Sequence, residues 1–170
     1  RRLSSVPALQ KPSGKNRMLR ERISAELKTA MRAKDALTVS TLRLILAALK
    51  DRDIAARGGG DDSGISDDEI LKMMQTMVRQ RRDSIELYEK GGRLELAERE
   101  ADEITIIERF LPEQLDEAAM REAVAATLAD IGAAGLKDMG KVMGALRECY
   151  AGQMDFGKAS AIVKEQLSAC

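Results

Sequence analysis

From residue 18 onward, apolar side chains recur at spacings of three and four, the period of an amphipathic helix. Leu19, Ile23, Leu27, Ala30 and Met31 predict a first helix over 19–33. The break AKDAL leads to a second, over 37–56, with Val39, Leu42, Ile45, Leu46 and Leu49 on one face, and the run RGGGDDSG ends it as a flexible loop. Ser66 opens a third helix. Glu69 follows three residues later in the capping-box pattern, and the neighbouring acids suit the positive end of the helix dipole. The stripe Ile70, Met74, Met77 continues through Ile85 and Tyr88 to KGGR, where Gly91 is the expected C-cap residue. Leu94, Ala97, Ala101, Ile104, Ile107 and Phe110 predict a fourth helix over 93–110, stopped by Pro112. After FLPEQLDE come three shorter helices, 117–131, 137–150 and 156–168, with Asp116 and Asp155 as caps of the first and third. The expected fold is all-α in two helical subdomains: four longer helices over 18–111 and a three-helix unit over 112–170.

Composition agrees with helix and removes much chemistry. Helix formers dominate the 170 residues, and Tyr88, Phe110, Tyr150 and Phe156 are the whole aromatic complement. There is no histidine, hence no imidazole base, no Ser-His or Cys-His pair and no histidine metal ligand. Cys149 and Cys170 form no metal-type spacing, and Cys149 has no base to activate it as a nucleophile. No P-loop, Rossmann fingerprint or nucleophile elbow is present. The sequence therefore calls for no cofactor, metal, membrane or small-molecule substrate, and no active site carried by this chain alone.

Charge is balanced overall, at 28 basic and 28 acidic residues, but unevenly placed. Residues 1–17 hold five of the basic side chains and no acid, leaving a net charge of −5 for the remainder. The segment RRLSSVPALQKPSGKNR reads as a disordered extension, with a transit-peptide remnant as the alternative. The expected location is cytoplasmic, or organellar if that alternative holds. A body of −5 does not condense on nucleic acid through its overall field, so any such contact needs a local patch.

Candidate patches are few. Arg79 and Arg82 in MVRQRRDS share a helix face, either solvated and paired with Asp83 and Glu86 or aimed at phosphate. Met73, Met74 and Met77 read as core filling rather than a partner groove. The acidic pairs Glu98/Glu100 and Asp102/Glu103 do not face each other on a helix and read as solvation and i,i+4 pairing. In GLKDMGKVMGALRECY, Gly140 and Gly144 stand inside a helix, where each costs roughly 1 kcal/mol relative to alanine. Gly135 is the expected cap there, with Asp138 at the third position. Either the glycines admit a neighbouring helix of the same unit, or with Lys137, Lys141 and Lys158 they expose backbone amides and charge to a phosphate chain. Gly157 and Lys158 repeat the design at the start of the last helix.

These same residues carry a resemblance. FLPEQLDEAAMREAV, GLKDMGKVMGALRE and GKASAIVKEQL, with TLRLILAALKDRDIAARG and SDDEILKMM before them, closely resemble the YqeY-like proteins over about residues 18–168. That family is related to the C-terminal tail domain of the GatB subunit of the glutamine-dependent tRNA amidotransferase. The resemblance implies a non-catalytic helical module contacting tRNA or a tRNA-modifying or aminoacylation enzyme. By inheritance it also implies a carbon–nitrogen ligase label with glutamine as amide donor. The positions it singles out are Lys137, Asp138, Gly140, Lys141, Gly157 and Lys158, with Arg147, Arg79 and Arg82 as weaker additions. With four scattered aromatics there is no stacking platform, so RNA recognition is expected through the backbone. The alternative is a protein–protein adaptor without RNA binding, which the net charge of −5 favours.

Overall fold

The computed structural model describes residues 18–60 and 62–169; the expectations for residues 1–17 and for Cys170 lie outside them. Among the described residues there are seven α-helices and no strand: α1 Met18–Arg32, α2 Ala36–Gly58, α3 Asp67–Lys90, α4 Leu94–Glu108, α5 Glu117–Ile131, α6 Met139–Cys149 and α7 Phe156–Ser168. A 3-10 turn, Leu136–Asp138, precedes α6. The sixth helix therefore starts as a tighter turn than expected, with the extended Gly135 at its head.

Local chemistry accounts for the helix ends. Lys34, at φ 57, turns the chain out of α1, and Asp35 caps α2 by accepting from the Thr38 amide (3.1 Å) and hydroxyl (2.6 Å). Those two bonds, the hydroxyl's first, hold the Asp35 carboxyl below its ordinary pKa. Ser66 and Glu69 complete the capping box of α3, and Asp116 accepts from the Ala119 amide at 2.7 Å to start α5.

The buried side chains form two clusters. Ile23, Leu42, Ile45, Ile70, Met74 and Ile107 are central to the one built by α1 to α4 and Phe110. Val124, Val142, Leu146, Met154, Ala159 and Val163 are central to the one built by α5 to α7. We propose that these are the cores of the two subdomains expected from the sequence. Met73, Met74 and Met77 are buried in the first cluster, as core filling requires. The expected apolar stripes contain three errors: Met31, Leu94 and Ala101 are exposed, while Ile106 and Glu103 take buried places on α4.

Glu103 corrects the expectation of solvation but keeps the expected i,i+4 pairing, with Arg99. Its carboxylate accepts from Arg81 Nε of α3 at 3.0 Å, with Arg99 Nε at 3.6 Å, and its side chain is only 10% exposed. Arg81, 13% exposed, also donates to the Met77 carbonyl. A second long-range pair pins the glycine-rich loop. Arg20 of α1 makes a two-pronged contact with Asp53 of α2 (2.6 and 2.7 Å) and donates to the Ile65 carbonyl, while Asp53 accepts from the Ile65 amide. The end of this loop is thus tied down rather than free.

Several contacts link α3 to the segments beside the second cluster. Gln114, in FLPEQL, donates to the carbonyls of Pro112 and Gly152 (2.8 and 2.6 Å). Gln75 of α3 donates to Gln114 Oε1 and to the Met154 carbonyl. Gly152 sits at φ +74, and a Cβ there would lie 3.0 Å from the Leu71 side chain of α3. Only glycine satisfies both the backbone angle and that approach.

Candidate functional site

The residues singled out by sequence fall on two surfaces. The first is the outward side of α6. Val142, Met143 and Leu146 turn into the core, so at 3.6 residues per turn Gly140, Lys141 and Gly144 face away from it, with Arg147 at the edge. Lys137 projects from the preceding 3-10 turn. Lys137, Lys141 and Arg147 are exposed, and none forms an ion pair with a described residue.

The two glycines overturn the expectation that they admit a neighbouring helix. Both are exposed, and a Cβ added at either meets nothing within 4 Å. No internal packing reason for glycine exists at these positions. Gly144→Ala is accordingly expected to raise stability by about 1 kcal/mol, read as a higher thermal midpoint. A midpoint that falls would show that the position is crowded in solution. Asp138 does not serve the helix amides as expected: its carboxylate reaches back to the Ala134 amide at 3.0 Å and fixes the loop before the turn.

The second surface is a groove of about 490 Å³ where α3, the Leu111–Gln114 segment and the start of α7 come together. Arg79 and Arg82 of α3 and Gly157 and Lys158 of α7 all line it, so two segments far apart in sequence converge there. Arg82 is paired, but with Glu108 of α4 at 3.1 Å rather than with Asp83 or Glu86; Glu86 instead holds Lys90 at 2.7 Å. Asp155 Oδ1 accepts from the amides of Gly157 (2.9 Å) and Lys158 (3.4 Å). The Gly157 and Lys158 amides are therefore occupied, so these two donors are not exposed as expected. What the start of α7 offers is the Lys158 ammonium.

Sequence reasoning missed Lys72, which lines the same groove seven residues before Arg79 and thus on the same face of α3. That spacing was visible. The roles of Gln75 and Gln114 were not, because an amide side chain gives no sign of the carbonyl it will meet. Among the described residues, no group of three or more Cys, Asp or Glu side chains converges as a metal site needs, and no helix is long and apolar enough to cross a membrane.

A Lachancea thermotolerans protein named "Altered inheritance of mitochondria protein 41, mitochondrial" is 39% identical over 89 residues, 52% of this chain and 46% of that protein. The protein of the same name from Eremothecium gossypii is 32% identical over 124 residues, 73% of this chain and 62% of its own length. That from Kluyveromyces lactis is 33% identical over 88 residues, 52% and 45% of the two chains. The chain thus spans about half the length of most of the curated relatives it matches. The pattern of the Yqey-like protein family itself runs over residues 20–167, from the first turn of α1 to the last turn of α7, taking in both packing clusters and both surfaces. The chain belongs to the Yqey-like protein family.

Proposed function

We propose that this chain is a non-catalytic helical module that contacts the phosphate backbone of tRNA, alone or together with a tRNA-handling enzyme, through the outward face of α6. The observation that supports this reading is the set of unpaired, exposed cations Lys137, Lys141 and Arg147 around the open backbone at Gly140 and Gly144, with Lys158 unpaired at the head of α7. Open glycines let a bulky phosphate chain lie close to the helix while lysines reach it from either side. Having no aromatic platform, the surface reads backbone rather than bases.

The test is a titration of bulk tRNA against the full chain and against a chain starting at Met18, across a range of salt. The shorter chain removes the five basic residues of 1–17 as a separate source of affinity. With three to four phosphate contacts, log K is expected to fall against log salt with a slope of about −3. Lys137→Glu/Lys141→Glu/Lys158→Glu is expected to abolish binding. No binding at low salt, or binding indifferent to the triple change, overturns the proposal.

A second reading, a protein–protein adaptor, draws support from the net charge of −5 outside residues 1–17 and from the groove at α3. For location, the word "mitochondrial" in the names of the relatives supports the organellar alternative and gives the cytoplasmic expectation no support. We propose a mitochondrial site of action, to be read from the position of a fluorescent fusion of the full-length protein.

A further inference from the structure

We propose that the groove between α3 and α7 is a second recognition site, which takes an acidic segment of a partner protein carrying a large apolar side chain among its carboxylates. It shares Lys158 with the RNA reading, but its other two cations, Lys72 and Arg79, lie on α3 and not on α6, so the two readings are tested by different substitutions.

Three features set the chemistry of the occupant. The first is charge. Lys72, Arg79 and Lys158 line the groove without an ion pair to any described residue. Of the three acids present, Glu108 is taken up by Arg82 and Asp155 by the α7 amides, which leaves Asp83 as the one carboxylate not engaged. Amide hydrogen bonds do not cancel the Asp155 charge, so the groove's four cations stand against three carboxylates, a net of +1 that favours an anionic partner.

Spacing is the second. Lys72 and Arg79 are seven residues apart, so they stand on one face about 10 Å apart along the axis. An extended segment of three residues per turn returns a side chain to the same side every third residue, about 9 Å further on. Acidic residues three apart therefore match the two cations, a reach one small anion lacks.

The third is the floor. Val78 and Met154 are buried beneath the groove, while Leu111 and Phe156 remain half-buried along it. A nucleic-acid backbone brings nothing apolar to cover them. A peptide does, by inserting a leucine or phenylalanine between its acids, and that burial contributes about 25 cal/mol per Å² removed from water.

The test is selection of a random dodecapeptide library displayed on phage against the full chain at low salt. The best peptide is then synthesised with a fluorescent label and its binding measured by anisotropy. Enriched sequences are expected to hold acids with at least one large apolar residue, and their binding to weaken as salt rises. Lys72→Glu/Arg79→Glu is expected to weaken the labelled peptide at least about tenfold, with Lys72→Gln/Arg79→Gln intermediate and Lys137→Glu/Lys141→Glu within about twofold of the parent. All these side chains are exposed, and circular dichroism checks that each variant retains its helix content. No enrichment, enrichment of non-acidic peptides, or binding that ignores the α3 changes overturns the proposal. So does a short RNA that competes with the peptide and is lost with the same α3 changes, which would assign the groove to nucleic acid.

Discussion

Glu103→Ala is expected to destabilise the protein by about 3 kcal/mol, the largest loss foreseen for any single polar substitution here. Glu103 and Arg81 face each other between α3 and α4 with 10% and 13% of their side chains exposed. Removing one member of a buried pair leaves the other charge without its partner, which costs about 3–5 kcal/mol. The lower end applies because Glu100 lies 3.8 Å from Arg81 Nε and takes over part of the interaction. The companion variant separates charge from packing. In Arg81→Met/Glu103→Leu no charge is left behind, and the α3–α4 seam is filled with apolar atoms. That protein is expected to be within about 1 kcal/mol of the parent, or more stable. Urea unfolding with the slope held constant measures both. A loss under about 0.5 kcal/mol in Glu103→Ala would place the pair in solvent after all.

Helix positions were legible in this sequence because their signals are local. α5 runs over the span expected for it, bounded by the Asp116 cap and by Gly132 at φ 67. α7 likewise follows from Asp155. The burial of Val142, Met143 and Leu146 followed from period alone. What was not legible is whatever depends on which helix lies opposite. Glu103 stands four residues before the buried Ile107, a phase that marks it as inward, but only the arrival of Arg81 from α3 makes an inward carboxylate tolerable. The cost of Gly140 and Gly144 and their outward phase were visible locally, whereas the open space beside them depends on where the other helices pack. The same limit hid the groove, since Lys72, Gln114 and Lys158 come from segments whose meeting is fixed by Gln75 and by the close approach of Gly152 to Leu71.

The Arg20–Asp53 pair makes stability depend on acid. The Arg20 hydrogen bonds are the largest cause holding the Asp53 carboxyl below its ordinary pKa, helped by the Ile65 amide and the charge of Arg57 and opposed by burial. A carboxyl depressed in the folded state stays ionised there when the unfolded chain has begun to bind a proton. Its contribution is therefore complete above the unfolded value, about 3.9, and is lost as pH falls through the lower folded value. Asp67 shares the field of Arg20: one oxygen accepts from the Leu19 amide at 3.3 Å, and the other is buried without a hydrogen-bond partner among the described residues. Removing Asp53 leaves Arg20 facing Asp67 alone and frees the Ile65 amide. Asp53→Ala is expected to cost about 2–3 kcal/mol at neutral pH, as loss of hydrogen bonds to a charged group does. The difference between parent and variant should shrink as pH is lowered from about 5 toward 2, because the parent loses what the variant never had. Thermal midpoints of both proteins across that range decide the matter. A difference that stays constant with pH would mean that Asp53 acts through packing and not through its charge.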